Sequence, residues 1–286
     1  MEILKQLQKR NNLIRIFFII LIFFSNYKIS FSKVFSDNLD LKGSFIQGGL
    51  LFGKTISKNK IIFNKKNIFV NKKGDFVLPL GRDEKLENLI EVDGKKKETH
   101  IIKISKRKYK IQKIDGLPKN KVTPNEKELK RIKKESKKIR ESKSVFFDQT
   151  LYKSGFIWPL KGVITGEYGN QRILNGKPRR PHYGLDIAAK SGSKIISPSD
   201  AIVVLTMEDS FFNGKMIILN HGLGINSIYS HLKKIYIKEG EKIKKGDLIA
   251  EVGSTGRSTG PHLDWRINVF NTAVDPALLL SNQPKF

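Results

Sequence analysis

The chain contains no cysteine. Disulfides and thiolate metal sites are therefore excluded, and any metal must be held by histidine and carboxylate ligands. Acidic residues are also scarce: 27 Asp and Glu face 54 Lys and Arg, for a formal net charge of +27 and a pI near 10.0. Such a surface favours polyanions, whether nucleic acid, anionic lipid or an acidic cell-wall polymer. No zinc knuckle or RNP-like motif accompanies the charge, so nucleic acid is not an expected partner. The abundance of Lys, Asn, Ile and Phe fits A+T-rich coding DNA equally well, and compositional drift explains as much of the basicity as polyanion binding does. Apolar residues make up 39% of the chain, enough for a folded core and too few for a polytopic membrane protein.

What the sequence does have begins at its N-terminus. Lys5, Lys9, Arg10 and Arg15 precede the apolar run IFFIILIFF at 16–24, the layout of a basic region and a short signal core. Ser30 and Ser32 stand at the −3 and −1 positions of a cleavage site. Residues 1–32 are expected to be a signal peptide, with an uncleaved anchor as the alternative, and the remainder a periplasmic protein. Only the retained segment would make the membrane a partner.

Across 286 residues there is room for two small domains. Residues 33–120 read as a small antiparallel β-domain: GSFIQGGLLFG, KIIFNKKNIFV and GDFVLPLG are apolar runs broken by Gly, Asn and Lys turns. HIIKISKRKYKIQKI at 100–114 alternates like one half-exposed strand, with His100 on the surface. Nothing here suggests chemistry, and a spacer or binding module is expected. Residues 121–150 read as a charged helical linker, with Thr123 as N-cap, Pro124 at the first helical position and Glu126 completing a capping box. Leu129, Ile132 and Ile139 give that helix only a narrow apolar stripe.

Residues 151–286 carry four of the five histidines. AIVVLTM, KMIILNH, INSIYSHL, KKIYIKEG, DLIAEVG and HLDWRINV are strands between tight turns, KEGEKIKKGDLIAEV (238–252) reads as a turn-and-return, and the domain is expected to be all-β. Three segments carry chemistry: RRPHYGLDIAA, IYSHLKK and STGPHLDWRI. His182 and Asp186 would lie about 13 Å apart in a fully extended strand, too far to share one ion, so the chain is expected to bend near Gly184. His262, Asp264 and Arg266 need no bend, because i and i+2 share a strand face. His221, in LNHGLG, reads as a structural residue beside a glycine turn.

The order HYGLD, YSHL, GPHLD resembles the M23 family of zinc metallopeptidases, the lysostaphin-type cell-wall endopeptidases, over about 156–280. The resemblance implies an M23-like β-sandwich acting on peptidoglycan, with cell-division or wall-hydrolase machinery as a further partner. It implies Zn2+ as cofactor, with His182 and Asp186 as the first two ligands. His231 and His262 match the two histidines that orient the attacking water and stabilise the oxyanion. Asp264 stands where the family has its third ligand, normally histidine.

That departure leaves three readings. Asp264 is a working ligand in an active enzyme; or zinc is lost and the domain is an inactive module that binds peptidoglycan or regulates another hydrolase; or Asp264 orients a histidine instead. The first is preferred, because the other four site residues are present. A carboxylate is an accepted zinc ligand, but two of them would cancel the ion's charge and weaken it as a Lewis acid. Arg257, Ser258 and Thr259 are expected along the cleft wall, and Arg266 beside the groove with no role beyond charge. KIKKGDLIAEVG also resembles lipoyl or biotinyl carrier domains, but the exposed lysine they need at a hairpin tip in a specific motif is not evident, and export argues against a cofactor carrier.

Overall fold

The computed structural model describes residues 34–280. The expected signal segment lies outside them.

The first eight strands are β1 (Val34–Ser36), β2 (Leu39–Gly43), β3 (Leu50–Thr55), β4 (Lys60–Phe63), β5 (Lys66–Ile68), β6 (Asp75–Pro79), β7 (Glu87–Asp93) and β8 (Lys97–Lys103). They form two antiparallel sheets, ordered β1-β2-β3-β6 and β5-β4-β7-β8. Strand β7 shows the period-2 logic: Asn88, Ile90 and Val92 point inward while Glu87, Leu89 and Asp93 face solvent. Leu41, Leu51, Phe76, Leu78 and Ile90 fill the core between the sheets.

This β-domain is not a tethered spacer. Strands β3 and β6 are buried on both faces, with Leu50 and Val77 entering the core of the following domain. That explains why GGLLFG and DFVLPL read as unbroken apolar runs rather than alternating ones. Arg107 Nη1 donates to Asp275 Oδ2 at 2.7 Å across the same junction.

The expected single strand over 100–114 divides in two. β8 ends at Lys103, the chain bridges from Ser105 to Ile46, and β9 (Ile111–Ile114) follows. The interruption is tertiary: Arg107 dips to Asp275, and its guanidinium lies over the Tyr109 and Tyr168 rings. A short helix, Lys119–Val122, precedes the long helix Glu126–Ser144. The N-cap of the long helix is Asn125, not Thr123: Asn125 accepts from the Glu128 N–H and Glu128 accepts from the Asn125 N–H, a reciprocal box two residues later than expected. The helix is strapped to the sheet that follows, through Ile139 packed on Leu205, Met216 and Ile228, and through Glu135 accepting from Ser210 Oγ and the Phe211 N–H.

The C-terminal region is all-β, as expected. Its strands are β10 (Val163–Gly166), β11 (Gln171–Leu174), β12 (Lys177–Pro178), β13 (Leu185–Ala188), β14 (Lys194–Ile196), β15 (Ala201–Ser210), β16 (Gly214–Asn220), β17 (Ile225–Ile235), β18 (Lys242–Ile243), β19 (Leu248–Val252), β20 (His262–Val269) and β21 (Thr272–Val274). The main path runs β10-β13-β20-β17-β16-β15-β18. The 238–252 stretch does not fold back on itself: β18 pairs with β15, while β19 pairs with β14 and β17.

Two features position the cleft. Strand β17 pairs with β20 up to Ser230 and with β19 from Leu232 onward, so it changes partners at His231. His231 sits there at φ 65°, left-handed backbone rare outside glycine. A bulge at such a switch re-aims one side chain. Secondly, β9 pairs parallel to β11, which also pairs with β12, and this small sheet forms one wall of the cleft.

Candidate metal centre and its cleft

Asp186 on β13 and Asp264 on β20 are direct cross-strand partners, with Ala188 opposite His262 in the same ladder. Both carboxylates are buried, at 6% and 2% exposure. Like charges placed opposite one another repel, so this pairing stands only if positive charge is supplied nearby. His182 comes from the segment just before β13, pinned by its N–H to Asn170 O and by its carbonyl accepting from the Gly169 N–H. The chain bends at Gly184, which brings His182 Nε2 to 3.1 Å from Asp186 Oδ1.

One ligand atom from each of His182, Asp186 and Asp264 lies within 4.8 Å of the others. Both ring nitrogens of His182 and Oδ1 of Asp186 are buried without a hydrogen-bond partner. Orphaned donors and acceptors of this kind are costly in an interior. Gly166 leaves room beside them, since a Cβ there would stand 2.3 Å from Asp186 Oδ2. Buried nitrogen and oxygen donors converging on one point fit a divalent cation of the borderline type that imidazole and carboxylate bind.

The two remaining histidines lie alongside, with ring centroids 4.7 Å apart. His231 Nδ1 is 2.7 Å from Thr255 O, and His262 Nδ1 is 2.9 Å from Gly260 O. A carbonyl cannot donate, so each ring donates its Nδ1–H to that carbonyl and keeps Nε2 for the cleft. His262 Nε2 points inward, 3.9 Å from Asp186 Oδ1. Burial lowers the His231 pKa to about 4, although Asp264 pulls the other way; the ring is neutral at pH 7.

Neither carboxylate stands alone. Arg266, two residues along β20, grips Asp264 as a fork: Nε to Oδ1 at 2.9 Å and Nη2 to Oδ2 at 2.5 Å. Burial pushes the Asp264 pKa upward, yet Arg266 and the neighbouring histidines hold it well below the usual range. Arg172 on β11 donates to Asp186 Oδ2. Burial works against ionisation of Asp186 too, but His182 and Arg172 offset it and its pKa is lowered. The role of Arg266 is thus more specific than charge beside a groove. Arg172 was missed from the sequence; its only signal was a basic residue in the hairpin QRILNGKPRR ahead of HYGLD.

Asp186, His231 and His262 open into a cleft of about 340 Å³. Arg257, Ser258 and Thr259 line it, with Gln112, Ile114 and Leu117 on the opposite wall. Burial, with Arg266 and Arg172 nearby, lowers the Arg257 pKa to about 10. His221 stays apart from the cleft as a wholly buried structural residue, its Nδ1–H donated to Asp200 O.

Residues 180–276 match peptidase family M23. The chain carries an M23 peptidase domain. It is 38% identical over 97 residues to an uncharacterized metalloprotease of Haemophilus influenzae, covering 34% of this chain and 20% of that protein. It is 37% identical over 122 residues to the peptidoglycan DD-endopeptidase ShyB of Vibrio cholerae, covering 43% of this chain and 26% of that one. The chain spans 20% to 28% of the length of these and two further curated relatives. A solved structure assigned to peptidase M23 from Pseudomonas aeruginosa aligns over 82% of this chain and 94% of that one, with TM-score 0.63 and 24% identity. That likeness is one of fold, and it extends beyond the M23 domain into the preceding β-domain. The M23 match over residues 180–276 implies a metal ion, and the His182–Asp186–Asp264 cluster is where this chain can hold one.

Proposed function

We propose that the chain is an exported, zinc-dependent endopeptidase that hydrolyses peptide bonds in bacterial peptidoglycan. The observation that carries this reading is the buried cluster of His182, Asp186 and Asp264 beside two imidazoles with free Nε2 atoms. The peptidoglycan activity named for ShyB supports the substrate class, and the basic, apolar N-terminal segment supports export to the periplasm.

Zinc held by His182, Asp186 and Asp264 would act as a Lewis acid on the scissile carbonyl and on water. The chain's own residues do the rest. His231, neutral and with its Nδ1–H tied to Thr255, can take a proton from the attacking water at Nε2 as the water oxygen bonds to the carbonyl carbon. That proton then passes to the leaving amine as the C–N bond breaks. His262, its Nδ1–H fixed by Gly260 O, has Nε2 turned inward, and a proton carried on that nitrogen would donate to the developing charge on the carbonyl oxygen.

Incubating the full chain with peptidoglycan sacculi, and identifying released muropeptides by mass spectrometry, tests this. New peptide ends that vanish with chelator, return with zinc and vanish in His231→Ala and His262→Ala are expected. Silence from folded, zinc-supplied protein would overturn the reading in favour of an inactive wall-binding or regulatory module.

A further inference from the structure

The grip of Arg266 on Asp264 bears on the oddest feature of this site, an aspartate at the third ligand position. Resting on the function proposed above, we propose that Arg266 is a positioning residue that turns Asp264 into a charge-neutral ligand, so that the Asp264–Arg266 pair serves where one neutral imidazole would.

Three observations carry this. The first is geometry. Arg266 meets both carboxylate oxygens, and a guanidinium fork fixes the plane of the carboxylate it binds. An ionised carboxylate has about four lone-pair sites, so two remain after Arg266 is satisfied. The short aspartate is thus held in one orientation with acceptor capacity left for a cation. Outer hydrogen bonds to ligating groups commonly have this orienting effect.

The second is charge. One His with two Asp would bring a divalent ion to a net charge of zero. Arg266 raises that to +1, the value a His, Asp, His set would give. The weakening of the Lewis acid expected from two carboxylates is therefore cancelled by a cation that is itself no ligand.

The third is built space. A Cβ on Gly184 would stand 2.5 Å from Arg266 Cγ, 2.7 Å from Trp265 O and 3.0 Å from Asp264 Oδ1. Glycine in HYGLD therefore does more than let the chain bend; it makes room for the arginine and its aspartate.

The test is the metal affinity of four full-length proteins: wild type, Asp264→His, Arg266→Gln and the double variant. Zn2+ affinity is measured by competition with a chromophoric chelator, with folding checked by near-UV circular dichroism. Asp264→His alone leaves Arg266 as an uncompensated cation beside the ion and is expected to bind zinc at least ~10-fold more weakly than wild type. Adding Arg266→Gln to that variant should restore affinity to within a few-fold. A merely structural role for Arg266 predicts the reverse, with the double variant worse than either single. Asp264→His binding as tightly as the double variant would overturn the inference while leaving the proposed function intact. A wild-type chain that takes up no zinc would sink both. Should imidazole not be accommodated at 264, Asp264→Asn with and without Arg266→Gln reads the same coupling, since it too strands Arg266.

Discussion

His221 offers a clean measurement of how strongly the fold resists acid. The ring is wholly buried. Its Nδ1–H is donated to Asp200 O at 2.8 Å, and its Nε2, 2.7 Å from Ser227 Oγ, accepts from that hydroxyl. A second ring proton would have to reverse the hydroxyl chain that runs through Ser227 to Tyr229. Burial accordingly lowers its pKa from 6.5 to about 4. Between these values the unfolded chain binds a proton that the native chain refuses. Stability therefore falls as pH falls through that window, by about 1.4 kcal/mol per pH unit and about 3 kcal/mol in all. His231, also lowered to about 4, adds a second proton to the same slope. The lowered carboxylates Asp75, Asp186 and Asp264 lose their contribution only as pH drops below their ordinary range near 3.8, outside the window. The assay is urea unfolding of the metal-free chain at several pH values from 7 to 4.5, for wild type and His221→Asn. The variant will be less stable at every pH because Ser227 loses its acceptor, so the slope is the readout. It should fall by about one proton. An unchanged slope, or an NMR titration of His221 with its midpoint near 6.5, would refute the argument.

Arg107→Met should cost about 3–5 kcal/mol in chemical denaturation, because it strands the buried Asp275 carboxylate at the junction of the two β-regions. Gly184→Ala drives a methyl into Arg266 and the Trp265 carbonyl; zinc affinity by chelator competition should drop at least ~10-fold, the size of other outer-contact losses, with most of the fold retained by circular dichroism. His231→Gly and His231→Ala should both abolish muropeptide release. The glycine variant should nevertheless be the more stable in urea by about 1 kcal/mol, since it relieves the left-handed backbone at that position.

How much of this was legible in the sequence depended on whether the signal was local. Strands such as KIIF and ENLIEVD announce themselves, because alternation records the two sides of a sheet. The same period puts His262 and Asp264 on one face, but the register that sets Asp186 opposite Asp264 is not written in it. What failed was decided at a distance. Thr123-Pro124 is a sound helix start by composition, but Asn125 and Glu128 form the box, and Thr123 is engaged instead by Lys177 Nζ. The strand over 100–114 breaks because Arg107 finds Asp275, 168 positions further on. The two-faced burial of β3 and β6 could be seen as apolar excess but not assigned a partner. Arg172 reaches Asp186 only because β11 is held between β9 and β12, a parallel pairing that no neighbouring residue announces.

Charge is where composition misleads and placement informs. The basic excess of the whole chain is mostly lysine, and a lysine-rich face such as that of Glu126–Ser144 is what drift toward A+T-rich codons would leave on a solvated helix. The cleft is different. Arg172 and Arg257 line it and Arg266 grips Asp264 from outside its lining; all three are arginine, and Arg172 and Arg266 end on the buried carboxylates. A lysine ammonium is a point charge and could neutralise Asp264 without fixing it; only a planar fork does both. Two carboxylates facing each other across adjacent strands repel unless cations come from outside the ligand set. The phrase DWR supplies one of those cations at the spacing a strand requires, two residues along and on the same face. On the proposal made above, Asp264 works as one half of a pair whose other half is Arg266, and judged with that partner it is no sign of a decaying site.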